Sequence, residues 1–277
     1  MNQLKEEWGQ LNWSVWVDLL PGGRYLDKSV TSDAGFYRIR SGSKDGLVYI
    51  GQTGRSLRGR IQDLSRGIKR PLDDPPWNDP HTAAPILWAY RIEDQLHYEV
   101  SVAKADMTKK ARECHEDYLL YLHRLQFGFS TLINHGRLHP LWSRASNRRD
   151  GRPTKRSESA RLYTSLKPAT GNLDPMANDW LGLKWSNFEC LSRVSVGDIP
   201  GVYRIQGREN VVYVGQSAKL RDRINQHRQN RVFSDTKISY HLMPEAESHQ
   251  LKEREIDLIG AFYKLMGEAP NFQYQGK

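Results

Sequence analysis

The sequence predicts an α+β fold built twice: two tandem small domains, each a three-stranded antiparallel sheet flanked by helices, joined by a basic linker. Two observations carry the repeat. Gly35-Phe36-Tyr37, an eleven-residue gap and Tyr49-Ile50-Gly51-Gln52 return as Gly201-Val202-Tyr203, a nine-residue gap and Tyr213-Val214-Gly215-Gln216. Each copy is followed by the same Leu-x-x-Arg step, Leu57 to Arg60 and Leu220 to Arg223. The offset between copies, well over 100 residues, is too long for a solenoid repeat and fits a duplicated domain. The third observation is a basic stretch between the copies, which sets the boundaries at 1–140, 141–175 and 176–277.

Each copy opens on an aromatic element, Trp8-x-x-Leu11-x-Trp13-Ser14 and Trp180-x-x-Leu183-x-Trp185-Ser186. Trp and Leu at this spacing form a helix or turn and are expected to be buried as core packing. Gly35–Ile39 and Leu47–Ile50 then read as two strands of a hairpin, with Arg40–Gly46 as its turn. Gly201–Ile205 and Val211–Val214 repeat that hairpin around Gln206–Asn210. A helix carrying the arginine follows in each copy. A third strand is expected at Tyr98–Ala103 and Ile238–Leu242, and a final helix at Thr108–Leu125 and Glu247–Leu265, whose apolar spacing buries one face. Strand, strand, helix, strand, helix makes a small α+β sandwich.

The copies are not identical. Fifty-five residues separate Arg60 from Glu116, against 31 between Arg223 and Glu255. The longer stretch holds Pro71-Leu-Asp-Asp-Pro-Pro-Trp-Asn-Asp-Pro-His81, and a Pro-rich loop of that length is uncommon without a purpose. Substrate contact and an inter-domain brace both suit it.

Composition narrows the class. Hydrophobic content of 38%, with 8 Trp and 13 Tyr, is enough for packed cores. No apolar run approaches the ~20 residues that cross a bilayer, and the N-terminus lacks the layout of a signal peptide. Two lone cysteines, Cys114 and Cys190, make neither a disulfide framework nor a zinc site, so a cytoplasmic location is the expectation. The net charge of +9 is concentrated: residues 141–172 hold eight Lys or Arg against two acids, a net +6. Arg148, Arg149, Arg152, Lys155 and Arg156 belong to this stretch, which reads as a solvated linker able to lie along phosphates, or as a tether with no partner.

Each final helix carries a Glu before an apolar pair, Glu116 before Leu119-Leu120 and Glu255 before Leu258-Ile259, and each copy closes on an Asn, Asn134 and Asn271. With the tyrosine pairs and Leu-x-x-Arg, in order and twice, the chain resembles the GIY-YIG nuclease family over roughly residues 30–137 and 198–273. The resemblance implies a Mg²⁺- or Mn²⁺-dependent DNA endonuclease with one metal per active site. It implies catalytic roles for Tyr37, Tyr49, Arg60 and Glu116 in one copy and Tyr203, Tyr213, Arg223, His227 and Glu255 in the other.

The residue chemistry is coherent with that implication. One carboxylate, Glu116 or Glu255, can anchor a Mg²⁺ that keeps most of its waters. Arg60 and Arg223 offer a planar, permanently charged fork for phosphate oxygens. By resemblance Tyr37 and Tyr203 activate the water and Tyr49 and Tyr213 position it, although a phenol of pKa near ~10 needs help to act as a base. Taken singly, Arg60 and Glu116 also suit a surface ion pair, and Tyr37 a core residue. Gln52 and Gln216 stand where many relatives have lysine. His227, one helical turn after Arg223, has Leu64 as its counterpart in the first copy.

Two sites in one chain read as a monomeric internal pseudo-dimer that cuts both strands of duplex DNA, in restriction or phage defence. A structure-specific or single-strand nuclease of repair or mobile elements is the alternative within nucleases. A nucleic-acid-binding protein with one or both sites silent is the alternative outside them.

Overall fold

The computed structural model describes residues 4–20, 27–143, 155–156 and 160–275. They fall into two units, Met1–Arg112 with Ser130–Thr164, and Glu113–Phe129 with Ser165–Lys277. The dividing line differs from the 1–140 boundary expected from sequence in that Glu113–Phe129 groups with the second unit.

In the first unit, β1 (Glu7–Trp8) and β2 (Leu11–Asn12) form a two-residue hairpin, followed by β3 (Val17–Asp18), β4 (Gly35–Arg40) and β5 (Tyr49–Thr53). Helix α1 (Leu57–Ile68), helix α2 (Ala83–Asp94) and β6 (Glu99–Lys104) come next. The sheet order is β3-β6-β4-β5, antiparallel throughout. The central strand β4 is covered on both sides: Tyr37 and Ile39 face the helices and join the core with Leu57, Ile61, Leu64 and Leu87. Strand alternation sends Phe36 and Arg38 to the other face, where the Arg38 guanidinium stacks 4.4 Å from the Trp13 ring and donates to Ser101 Oγ at 3.3 Å. Helix α3 (Lys109–Phe127) begins in this unit and continues into the second. The first unit ends with β7 (Trp142–Ser143) paired to β8 (Lys155–Arg156).

The second unit repeats the plan. Strands β9 (Glu189–Cys190), β10 (Gly201–Gln206) and β11 (Val211–Ser217), helix α4 (Leu220–Arg228), strand β12 (Lys237–Leu242) and helix α5 (Ser248–Met266) give the sheet order β11-β10-β12-β9. Arg204 occupies the place of Arg38, 4.4 Å over Trp185 and bonded to Ser239 Oγ at 3.3 Å. Both arginines are fully buried, and a cation over tryptophan inside a dry layer is a favourable way to bury one. Helix α3 contributes Arg124 to this unit, where it donates to Asp257 on α5 at 2.7 Å and lies 3.5 Å from Glu253.

The mixed α+β class is borne out, and the expected strands and final helices lie within a few residues of their positions. Two differences stand out. Each sheet has four strands rather than three, because the two-residue edges β3 and β9 add to it; so short a strand has too little alternation to be legible. The tryptophan elements are buried, as expected, and of the helix or turn expected there they take the turn. Gly9 and Gln10 in one, and Leu181 and Gly182 in the other, take positive φ, which makes a tight turn between Trp and Leu. The Pro-rich stretch leads into a helix, α2, that packs on α1. Of the basic residues, Lys155 and Arg156 form β8, with Arg156 2.9 Å from Glu93. Arg148, Arg149 and Arg152 lie outside the described residues.

Candidate active sites

In the second unit the ladder sets Tyr203 directly opposite Gly215. A Cβ on Gly215 would fall 2.5 Å from Tyr203 Cζ and 2.9 Å from the Tyr213 ring, and Gly51 has the same relation to Tyr37 and Tyr49 at 2.6 and 2.8 Å. These glycines sit in regular strand positions. They are there so that the tyrosine ring can lie across the neighbouring strand.

Helix α4 buries Leu220, Ile224 and His227 and leaves Arg223 half-buried at the rim. Arg223 Nε donates to the Tyr203 hydroxyl at 3.0 Å and its Nη2 to the Tyr213 hydroxyl at 3.3 Å. Nε2 of His227 lies 2.8 Å from that same Tyr203 oxygen. Since Arg223 can only donate, the phenol proton points at His227 Nε2, and His227 carries its own proton on Nδ1. Burial and the Arg223 charge lower the His227 pKa to about 4, so the imidazole is neutral and accepts. Burial pushes the Tyr203 phenol well above its ordinary value, aided by Tyr213 and opposed by Arg223. Tyr203 therefore holds its proton at neutral pH.

Glu255 comes to the same place from α5. Its carboxyl is pushed up to about 8, mainly by burial and then by Asp117, against Lys252, Arg223 and a hydrogen bond from the Gln216 backbone. Asp117, on α3, accepts from the Tyr274 hydroxyl, and burial raises it to about 7 with a contribution from Glu113. The neighbouring Glu253 is a structural residue, fully buried against Arg124 and accepting from the Leu166 amide at 2.8 Å.

In the first unit, Tyr37 and Tyr49 repeat the pair at a ring separation of 5.8 Å. Ser56 caps α1 by accepting from Gly59 N–H at 3.0 Å, which fixes the turn that carries Arg60. Arg60 meets His81: its Nη1 contacts the ring Nδ1 and lies 3.0 Å from Nε2. Leu64, the counterpart of His227, is fully buried in the core. A groove of about 740 Å³ runs beside Arg60 and is also lined by Arg55, Asp63, His81, Lys109 and Arg112. Arg112 is almost buried, held by Gln52 Oε1 at 2.6 Å and the Met107 carbonyl at 3.0 Å. Thus Gln52 orients an arginine from another element. Glu116 lies on the part of α3 that belongs to the second unit, whereas Tyr37, Tyr49 and Arg60 lie in the first.

The closing amides are edge clamps. Asn134 accepts from Ile50 N–H at 3.1 Å and donates to Ile50 C=O at 2.9 Å, satisfying both groups of the residue between Tyr49 and Gly51. In the second unit the amide at that place is Gln273, which accepts from Val214 N–H at 3.0 Å, while Asn271 is exposed. The expected Asn134–Asn271 correspondence is therefore displaced by two residues.

Sequence reading missed His81, Arg112, Asp117 and the buried Arg38 and Arg204. Only the last pair had a signal, the Tyr-Arg-Ile shared by both copies. The others come from loops and helices whose approach no local spacing encodes. Among the described residues no group of three or more His, Cys, Asp or Glu is gathered for a metal, and no helix is long and apolar enough to cross a membrane. No family model, curated protein or solved structure matches the chain.

Proposed function

We propose that the chain is a metal-dependent DNA endonuclease of the GIY-YIG type with two active sites, each cutting one strand. The observation that carries this reading is the convergence of Tyr203, Tyr213, Arg223 and His227 within hydrogen-bonding distance, with Glu255 close enough to feel the Arg223 charge. A surface ion pair needs none of the two phenols or the imidazole.

Arg223 binds a non-bridging phosphate oxygen through the guanidinium N–H groups that are not donated to Tyr203, Tyr213 and Gln226. The Tyr203 oxygen, wedged between Arg223 and His227, orients the attacking water, and a proton gained there has a path to His227 Nε2. Tyr213, half-buried, fixes the arginine from the other side. Glu255 and Glu116 are the carboxylates that would hold Mg²⁺ or Mn²⁺, one ion per site. The raised pKa of Glu255 fits this role, because a dication relieves the poor solvation of its carboxylate and Mg²⁺ takes its remaining ligands from water and phosphate. When bound, the ion supplies charge neutralisation at phosphorus. The basic residues Arg148, Arg149, Arg152, Lys155 and Arg156 supply sequence-independent phosphate contact.

The test is cleavage of supercoiled plasmid with Mg²⁺ or Mn²⁺. Glu116→Ala and Glu255→Ala should each leave a nicking enzyme, and the double variant should be inert. Complete loss in either single variant would overturn the two-site reading. Binding without cleavage by the parent chain, on DNA or RNA, would favour a nucleic-acid-binding protein instead.

A further inference from the structure

The structure assigns His81, from the insert unique to the first unit, as the positioning imidazole of the first site: it holds Arg60 for a phosphodiester oxygen, whereas the helical histidine of the second unit braces the tyrosine. This rests on the nuclease reading given above.

The two units solve one problem differently. In the second, the residue one turn after the arginine is His227, and it braces the tyrosine that Arg223 also grips. In the first, that position is Leu64, with no exposed surface and core partners on every side. The imidazole arrives instead from the loop, and it meets the arginine itself. His81 is neither exposed nor adventitiously placed: its side chain is 10% exposed, and its backbone N–H donates to Asp79 Oδ1 at 2.8 Å. Asp79 in turn presses on α1 where Gly67 leaves room, since a Cβ there would fall 2.6 Å from the Asp79 carboxylate. Upstream, Trp77 is locked against Trp88 and Trp142 at ring separations of 5.1 and 4.9 Å. Downstream, the His81 carbonyl accepts from Ala84 N–H at the start of α2.

Charge supports the same reading. The groups facing His81 are Arg60 and Asp63 on α1 and Asp79 on its own loop, with Arg55, Lys109 and Arg112 along the groove. Burial and Arg60 lower the His81 pKa, and the two aspartates oppose them. A neutral imidazole accepts from the guanidinium and leaves its full charge for a phosphate, whereas a carboxylate there would neutralise it. The groove has four cations and one acid on its wall, which suits a polyanion.

The experiment isolates the first site in the Glu255→Ala background and measures nicking of supercoiled plasmid with Mg²⁺ across pH. His81→Ala should slow nicking at least tenfold. His81→Gln, whose side-chain carbonyl can accept from Arg60, should restore a large part of the rate and abolish the loss of rate at acid pH expected of the parent. An unchanged rate in His81→Ala, or equal losses in both variants with the acid limb retained, would overturn the assignment. Heteronuclear NMR titration of the imidazoles reads the contact without turnover: the His81 pKa should lie below the ordinary value and rise in Arg60→Met. No rise would overturn the contact even in an active enzyme. If the parent does not nick but the titration behaves as expected, the nuclease reading and the reaction role both fall while the His81–Arg60 contact stands.

Discussion

Tyr203 stands directly opposite Gly215 in the β10–β11 ladder, and its ring fills the space that a side chain on Gly215 would need. The same holds for Tyr37 and Gly51. A repeated Tyr-x-Gly is thus a packing instruction: the glycine of one strand makes the seat for the tyrosine of the other.

Gly215→Ala should therefore cost about 1–3 kcal/mol, the usual range for overpacking a filled site, and push Tyr203 off both Arg223 and His227. Misplacement of that order is expected to reduce second-site cleavage by roughly 100-fold while the first site continues. The measurement is urea denaturation together with nicking in the Glu116→Ala background. A full cleavage rate in Gly215→Ala would show that the ring position does not matter.

The neutral state of His227 makes stability pH-dependent. Its pKa is lowered from 6.5 in the unfolded chain to about 4 in the fold, so the unfolded state binds the proton first as pH falls. The contribution is complete above about 6.5 and is lost progressively as pH drops towards 4. Between pH 7.5 and 5 the wild-type chain should lose about 1–2 kcal/mol more than His227→Gln, in which that titration is absent. Equal losses in the two proteins would mean that His227 is not held neutral.

The amide clamps separate a structural from a catalytic role for the closing residues. Asn134→Ala leaves the buried Ile50 N–H and C=O unpaired, and Gln273→Ala does so for Val214 N–H. Each should cost about 1–3 kcal/mol, the penalty for burying an unsatisfied polar group. Asn271→Ala, at an exposed position, should stay within about 0.5 kcal/mol. Thermal melting of the three variants checks the order, and a larger loss for Asn271→Ala would restore the pairing that the sequence alone suggests.

Much was legible in the sequence because it is local. Strand alternation, the Tyr-x-Gly pairs, Leu-x-x-Arg and the glutamate before an apolar pair are patterns within a few residues, and in the second unit they brought Tyr203, Tyr213, Arg223, His227 and Glu255 to one place. The buried tryptophans were legible for the same reason. What local spacing could not contain was the approach of distant segments. The edge strands β3 and β9 exist only because a partner offers two residues of ladder. Asp117 reaches Glu255 through the grouping of α3 with the second unit, and Gln273 replaces Asn271 because the chain end meets β11 two residues later. Above all, sequence determined that the first copy lacks a histidine after its arginine, since Leu64 is needed in the core. Only tertiary packing decided that His81 would meet Arg60, because a loop pinned by Trp77 and Asp79 places its side chain through contacts that no spacing along the chain records.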